Sequence, residues 1–142
     1  MSSSCPSPTI SCFGYRNVQE AIEWLCHTLG YREHQICRDG NGTIVHAELT
    51  YGKGMIMVGP DRAGEFGKRF MTMPGDIGGR CTQVVYMVVD DIDAHYAHAK
   101  ACGADIVMPL EVQDYGGKNY GVRDLEGHIW SIGDYDPWHH GK

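Results

Sequence analysis

Gly54-Met55-Ile56-Met57-Val58-Gly59 and Gly127-His128-Ile129-Trp130-Ser131-Ile132-Gly133 decide the fold, because the second stretch restates the first. Gly54 to Gly127 is an offset of 73, and Gly59 to Gly133 one of 74. Working outward, Asn17-Val18 returns as Asp91-Ile92, and Leu29-Gly30-Tyr31 as Cys102-Gly103-Ala104, at the same spacing. Two copies of one supersecondary unit can pack side by side and leave a cleft between them, where function would be expected.

The first copy opens with an expected strand over 9–15. Asn17 is a good N-cap, and Glu20 three residues on completes a capping-box pattern. Val18, Ala21, Ile22, Leu25, Cys26 and Leu29 recur at helical spacing, which predicts a helix over 18–29 with Gly30 as its left-handed stop. Strands follow over 32–38, 44–50 and 55–58, the first pair joined by the turn signal Asp39-Gly40-Asn41-Gly42. The order is β-α-β-β-β. A connector over 60–81 mixes Gly and Pro with Phe66, Phe70, Met71 and Met73, and is expected either to cover something or to pack locally. The second copy repeats the order: a buried strand over 83–89, a helix capped by Asp91 and ended by Gly103, and strands near 105–108, 118–123 and 128–133. The tail from Asp134 is polar apart from Tyr135 and Trp138.

The chain has 142 residues and a net charge of −6, with no run of Lys or Arg. That disfavours nucleic acid and anionic membranes, which need a concentrated basic surface. No apolar run reaches membrane-spanning length. Met1-Ser2-Ser3-Ser4-Cys5-Pro6 lacks the charged and apolar regions of a secretory signal, and the 6 cysteines form no C-x-x-C pair. Reduced thiols and a cytoplasmic location are the expectation.

The tandem modules, the segment from Asn17 to Tyr31, the strand His46-Ala47-Glu48-Leu49 and the turn Arg123-Asp124-Leu125-Glu126-Gly127-His128-Ile129-Trp130 resemble the vicinal oxygen chelate superfamily. This is the glyoxalase, bleomycin-resistance and extradiol-dioxygenase group. The resemblance covers about residues 8–135 and implies an α+β fold. Its two modules, about 8–59 and 82–135, would form a cupped mixed sheet around a cleft, as a single domain over 1–142. It also implies a homodimer, with exchange of modules between subunits open to the long connector.

Metalloenzymes of that group hold a divalent ion with one His or Glu from each of four strands, and the ion acts as a Lewis acid on two neighbouring oxygens. Matching those positions one at a time gives Ile10, Glu48, Val84 and Ser131. Only Glu48 is a strong ligand, so no metal and no cofactor are expected.

His46 and Glu48 lie two apart in a strand and face the same way. They read as an acid/base couple, a hydrogen-bonding anchor for a ligand, or a structural pair satisfying each other. The same parity turns Cys12, Val84, Tyr86, Val88, Ile129 and Ser131 into the cup, and Trp130 and Ile132 toward the helices. Tyr86 is the aromatic expected to stack on a ligand. Tyr115, Tyr120 and Arg123 are placed near the cleft mouth, with Arg123 holding its own turn through Asp124. His95 and His98 read as a solvated helical face, and His139-His140 as a solvated tail. The ligand-binding set is therefore His46, Glu48, Cys12, Tyr86, Ser131 and Tyr120. The leading expectation is a metal-free protein that binds and sequesters a small organic or antibiotic-like molecule. The alternatives are a divergent lyase, isomerase or dioxygenase rebuilt around His46 and Glu48, and a structural dimer.

Overall fold

In the computed structural model, which describes residues 6–139, each copy of the repeat folds into its own four-stranded sheet. The first contains β1 (Ser11–Tyr15), β2 (Arg32–Arg38), β3 (Ile44–Tyr51) and β4 (Gly54–Pro60) in the order β1-β4-β3-β2. The second contains β5 (Val85–Val88), β6 (Asp105–Val112), β7 (Lys118–Arg123) and β8 (Ile129–Gly133) in the order β5-β8-β7-β6. The first strand of each sheet runs parallel to the last, and the other pairings are antiparallel. The edge strands are β1 and β2 in the first sheet, and β5 and β6 in the second. Met1 to Cys5 and His140, on which the signal and tail readings bear, lie outside the described residues.

Helix α1 (Val18–Trp24) continues into one π-helical turn, Leu25–Leu29, and stops at Gly30, whose φ of 94° is a left-handed position that suits glycine. Helix α3 (Ile92–Ala101) is capped by the Asp91 carboxylate, which accepts from the Ala94 N–H at 3.0 Å. The Asn17 side chain likewise accepts from the Glu20 N–H at 3.1 Å. The return half of the expected capping box comes from elsewhere. Glu126, in the second module, accepts from the Arg16 and Asn17 N–H groups at 2.6 and 2.8 Å. Its two carboxylate oxygens face the positive end of α1, where a negative charge is favoured.

The helices and the inner faces of both sheets share one core, which includes Tyr15, Ile22, Leu25, Leu29, Leu49, Val58, Val122, Trp130 and Ile132. Trp130 sits at its centre, stacked on Phe13 at 5.0 Å and edge-on to Tyr31 at 5.8 Å, so module two fills module one with its largest side chain. The connector is ordered as α2 (Gly64–Phe70) and a 3-10 turn at Pro74–Ile77. It buries Met73 and Pro74 and leaves Phe66 and Phe70 exposed. Among the described residues no helix is long and apolar enough to cross a membrane.

Three sequence expectations change. His95 and His98 are not solvated alone. They donate from Nε2 to the carbonyls of Leu29 and His27, both at 2.8 Å, and so cover the carbonyl end of the first module's helix. Tyr120 does not stand at a cleft mouth. It alternates with Gly121 on β7, faces α3 and is buried, with its hydroxyl donating to His95 Nδ1 at 2.8 Å. Arg123 pairs with Asp105 on β6 at 3.0 Å, its cross-strand partner, and not with Asp124. Asp124 is turned inward instead, where Tyr15 and Trp130 donate to it.

Candidate functional site

Strand parity gives each sheet a core face and an open face, and the register aligns the open-face residues into rows. In the first sheet one row runs Cys12, Met57, Glu48, Gln35 across all four strands. In the second sheet the equivalent row runs Tyr86, Ser131, Gly121, Met108. The offsets are 74, 74, 73 and 73, so the duplication is preserved position by position while its chemistry is not. Where module one carries the Glu48 carboxylate, module two carries a glycine. A Cβ at Gly121 would come within 3.2 Å of Val107 Cγ2, which leaves little room for a second acid there.

His46 and Glu48 form the polar centre of the first open face. The imidazole Nε2–H donates to Glu48 Oε2 at 2.9 Å, with the side chains 39% and 25% exposed. The pair is neither sealed in the core nor free in solvent, so a ligand could reach it. Its neighbours in the ladder are Met57 beside Glu48 and Cys37 opposite His46. Cys37, Gln35 and Met57 were not singled out from the sequence. Only the register of β2 on β3 brings the first two to this face, and hairpin register cannot be read from alternation alone.

On the second open face Tyr86 lies across Gly133. Its hydroxyl donates to the Tyr135 carbonyl at 2.8 Å, and burial is the main cause that raises its pKa above the ordinary tyrosine value. Asn119 donates to the Tyr115 hydroxyl at 2.8 Å and accepts from Gln113 at 2.8 Å, while Tyr115 meets the Tyr135 ring edge-on at 5.0 Å. Ser131 stands beside Tyr86 in the ladder. Val88 on β5, Met108 on β6 and Val84, just before β5, are exposed apolar side chains.

A groove of 630 Å³ separates β1 from β5 and is roofed by the connector; its lining includes Cys12, Phe70, Ile77, Arg80, Val84 and His128. That volume suits a small organic ligand. A second hollow of 190 Å³ joins Cys12 and Met57 to His46 beneath Met71 to Met73. Of the six residues selected from the sequence, Cys12 and His46 therefore share a cavity, and Glu48 adjoins it through His46. Tyr86 and Ser131 stand together on the other sheet, and Tyr120 is apart from both groups.

The donor set does not fit the family's divalent ion. The matched positions present one carboxylate, one hydroxyl and the hydrocarbon side chains of Ile10 and Val84, too few oxygen or nitrogen donors to fix an ion. Among the described residues no group of three or more His, Cys, Asp or Glu gathers at metal-binding range.

The chain resembles TioX from Micromonospora sp. ML1 at 35% identity and a TM-score of 0.69, over 89% of this chain and 94% of that one. A fosfomycin resistance protein, FosX from Mesorhizobium loti, shares the fold at 13% identity and a TM-score of 0.62, over 93% and 94%. An uncharacterized protein of Mycobacterium tuberculosis H37Rv, Rv0887c, is 33% identical over 66% of this chain. An uncharacterized protein of Mycobacterium bovis, Mb0911c, matches at the same level. The aligned stretch spans only 54% and 60% of those two proteins. Residues 12–132 match the profile of one family, and with the duplicated β-α-β-β-β modules they place the chain in the Glyoxalase/Bleomycin resistance protein/Dioxygenase superfamily.

Proposed function

We propose that this chain binds a small organic molecule on the open faces of its two sheets, without a metal. The observation that carries the reading is the His46–Glu48 pair, a half-exposed couple set among Cys12, Met57 and the connector methionines. Such a pair offers a carboxylate to a basic or hydroxyl-bearing group, and its apolar surround offers contact area. The aromatic and amide cluster around Tyr86 supplies a second, flatter surface.

The two polar centres lie on different sheets. A second copy that laid its first sheet over this chain's second would bring Glu48 and Tyr86 to one cleft. It would also cover Val84, which is 46% exposed. The proposal is therefore a homodimer with binding sites between subunits.

The test is a thermal-shift and calorimetric screen with organic antibiotics, bleomycin among them, alongside light scattering. The expected result is a mass twice that of one chain, and a ligand whose affinity falls about tenfold in Glu48→Gln, as loss of a charged hydrogen bond worth about 1.5 kcal/mol implies. A monomeric mass would overturn the intersubunit site. Binding indifferent to Glu48→Gln would overturn the role of the pair.

A further inference from the structure

We propose that Cys37, His46, Glu48 and Gln35 form a thiol-addition site, with Cys37 as nucleophile, that captures soft carbon electrophiles such as α,β-unsaturated carbonyl compounds. The site extends the binding reading by a covalent step and shares two residues with it.

The geometry comes from the β2–β3 ladder. Cys37 stands directly opposite His46, which sets their Cβ atoms about 4.5–5.5 Å apart on one face. In the structure Cys37 Sγ takes its hydrogen bond from Gln35 and makes none to His46, so the thiol must turn about its Cα–Cβ bond to meet the imidazole. His46 uses Nε2 to donate to Glu48, which leaves Nδ1 as the acceptor. Glu48 is thus placed to orient the ring and to stabilise the imidazolium that proton uptake creates. This is the nucleophile, base and orienting acid relationship that activates thiols and hydroxyls on unrelated folds. The Gln35 side-chain amide lies 3.5 Å from Cys37 Sγ and points an N–H at the atom on which negative charge develops. The ladder is irregular on both sides of the group, with register shifts between Glu33 and Gln35 and between Cys37 and Arg38. Bulges re-aim side chains and recur beside active sites.

The step balances without a cofactor. The Cys37 Sγ–H proton passes to His46 Nδ1, and the sulfur electron pair forms a bond to the β-carbon of the acceptor. The carbon–carbon π pair shifts to give an enolate, whose α-carbon takes the proton back from His46. The product is a thioether, and nothing is oxidised or reduced.

Cys37 is only partly exposed, whereas Cys12 is exposed on β1, so simple accessibility predicts that Cys12 reacts first. Activation by His46 predicts the reverse. The full-length protein is treated with methyl vinyl ketone at pH 7.5, and each cysteine's alkylation rate is followed by peptide mapping. The expected result is that Cys37 outpaces Cys12 about tenfold or more, and that His46→Gln and Glu48→Gln each remove the advantage while far-UV dichroism is unchanged. Cys12 reacting as fast as Cys37, or a Cys37 rate indifferent to His46→Gln, overturns the proposal. Because the probe is a minimal electrophile, this outcome is independent of whether any larger ligand binds.

Discussion

Tyr15 and Asp124 stand 109 positions apart in the chain, and the phenol of one donates to the carboxylate of the other at 2.6 Å. Trp130 Nε1 donates to the same oxygen at 3.1 Å, while the N–H groups of Glu126 and His128 donate to the other oxygen at 3.0 Å each. One buried carboxylate therefore holds its own turn and reaches into the opposite module. Burial, with the Asp124 charge second, keeps the Tyr15 hydroxyl protonated well above the ordinary tyrosine range.

Asp124→Ala should be among the most damaging single changes. It leaves the Tyr15 hydroxyl and the Trp130 N–H without their acceptor in the core, and each orphaned group costs about 1–3 kcal/mol. A loss of about 3 kcal/mol or more is expected in urea unfolding, and Asp124→Asn, which keeps one carbonyl acceptor, should lose less. An unchanged midpoint in Asp124→Ala would show that the carboxylate does not hold the modules together.

Glu126→Ala tests the second clasp. Its carboxylate takes the N–H groups of Arg16 and Asn17 at the start of α1. Removal should cost about 1 kcal/mol, the usual scale for an N-terminal cap. Glu20→Ala, whose side chain the capping-box pattern would have credited, should cost a few tenths at most, as surface changes do. Equal losses in the two variants would return the cap to Glu20.

That contrast shows what the sequence could tell. Period-3.6 and period-2 patterns, Asn17, Asp91 and Gly30 are local signals, and they placed α1, α3 and the strands within a few residues, whereas α2 in the Gly- and Pro-rich connector carried no such signal. Glycine offsets gave the duplication. What stayed hidden depends on contacts between modules. The pattern around Asn17 points to Glu20, yet the closing carboxylate is Glu126. The spacing of His95 and His98 suggests an exposed face, yet both cover the end of α1. Parity put His46 and Glu48 on one face, but only the β2–β3 register puts Cys37 and Gln35 beside them.

His95 makes the junction pH-sensitive. Nε2–H donates to the Leu29 carbonyl, and Nδ1 accepts from Tyr120, an arrangement that requires the neutral ring. Burial lowers its pKa, with the Leu29 bond opposing and His98 adding to the shift. The unfolded chain, with a His pKa of about 6.5, binds the proton more readily than the folded one. The stability this group contributes is therefore full above about pH 6.5 and is lost as pH falls through its lower folded value. His95→Gln should flatten the difference between urea midpoints at pH 7.5 and pH 5.5. The difference persisting in full would move the titration to another group.

Gly133→Ala asks whether the second open face is a built surface. A Cβ there would come within 2.7 Å of the Tyr86 hydroxyl, 2.9 Å of Asn119 Cβ and 2.9 Å of the Lys118 carbonyl. The hydroxyl could swing away, but the Lys118 carbonyl belongs to β7 and cannot move without disturbing the β7–β8 ladder. Overpacking of this kind costs about 1–3 kcal/mol. The displaced Tyr86 would also lose its bond to the Tyr135 carbonyl. Tyr86→Phe removes the hydroxyl alone and should relieve part of the clash, so the double variant should be more stable than Gly133→Ala by itself. If ligand contact runs through this face, Gly133→Ala weakens binding while Tyr86→Phe in the wild-type background leaves the ring in place and costs less. Equal stability of the single and double variants would mean that the tyrosine does not lie across Gly133.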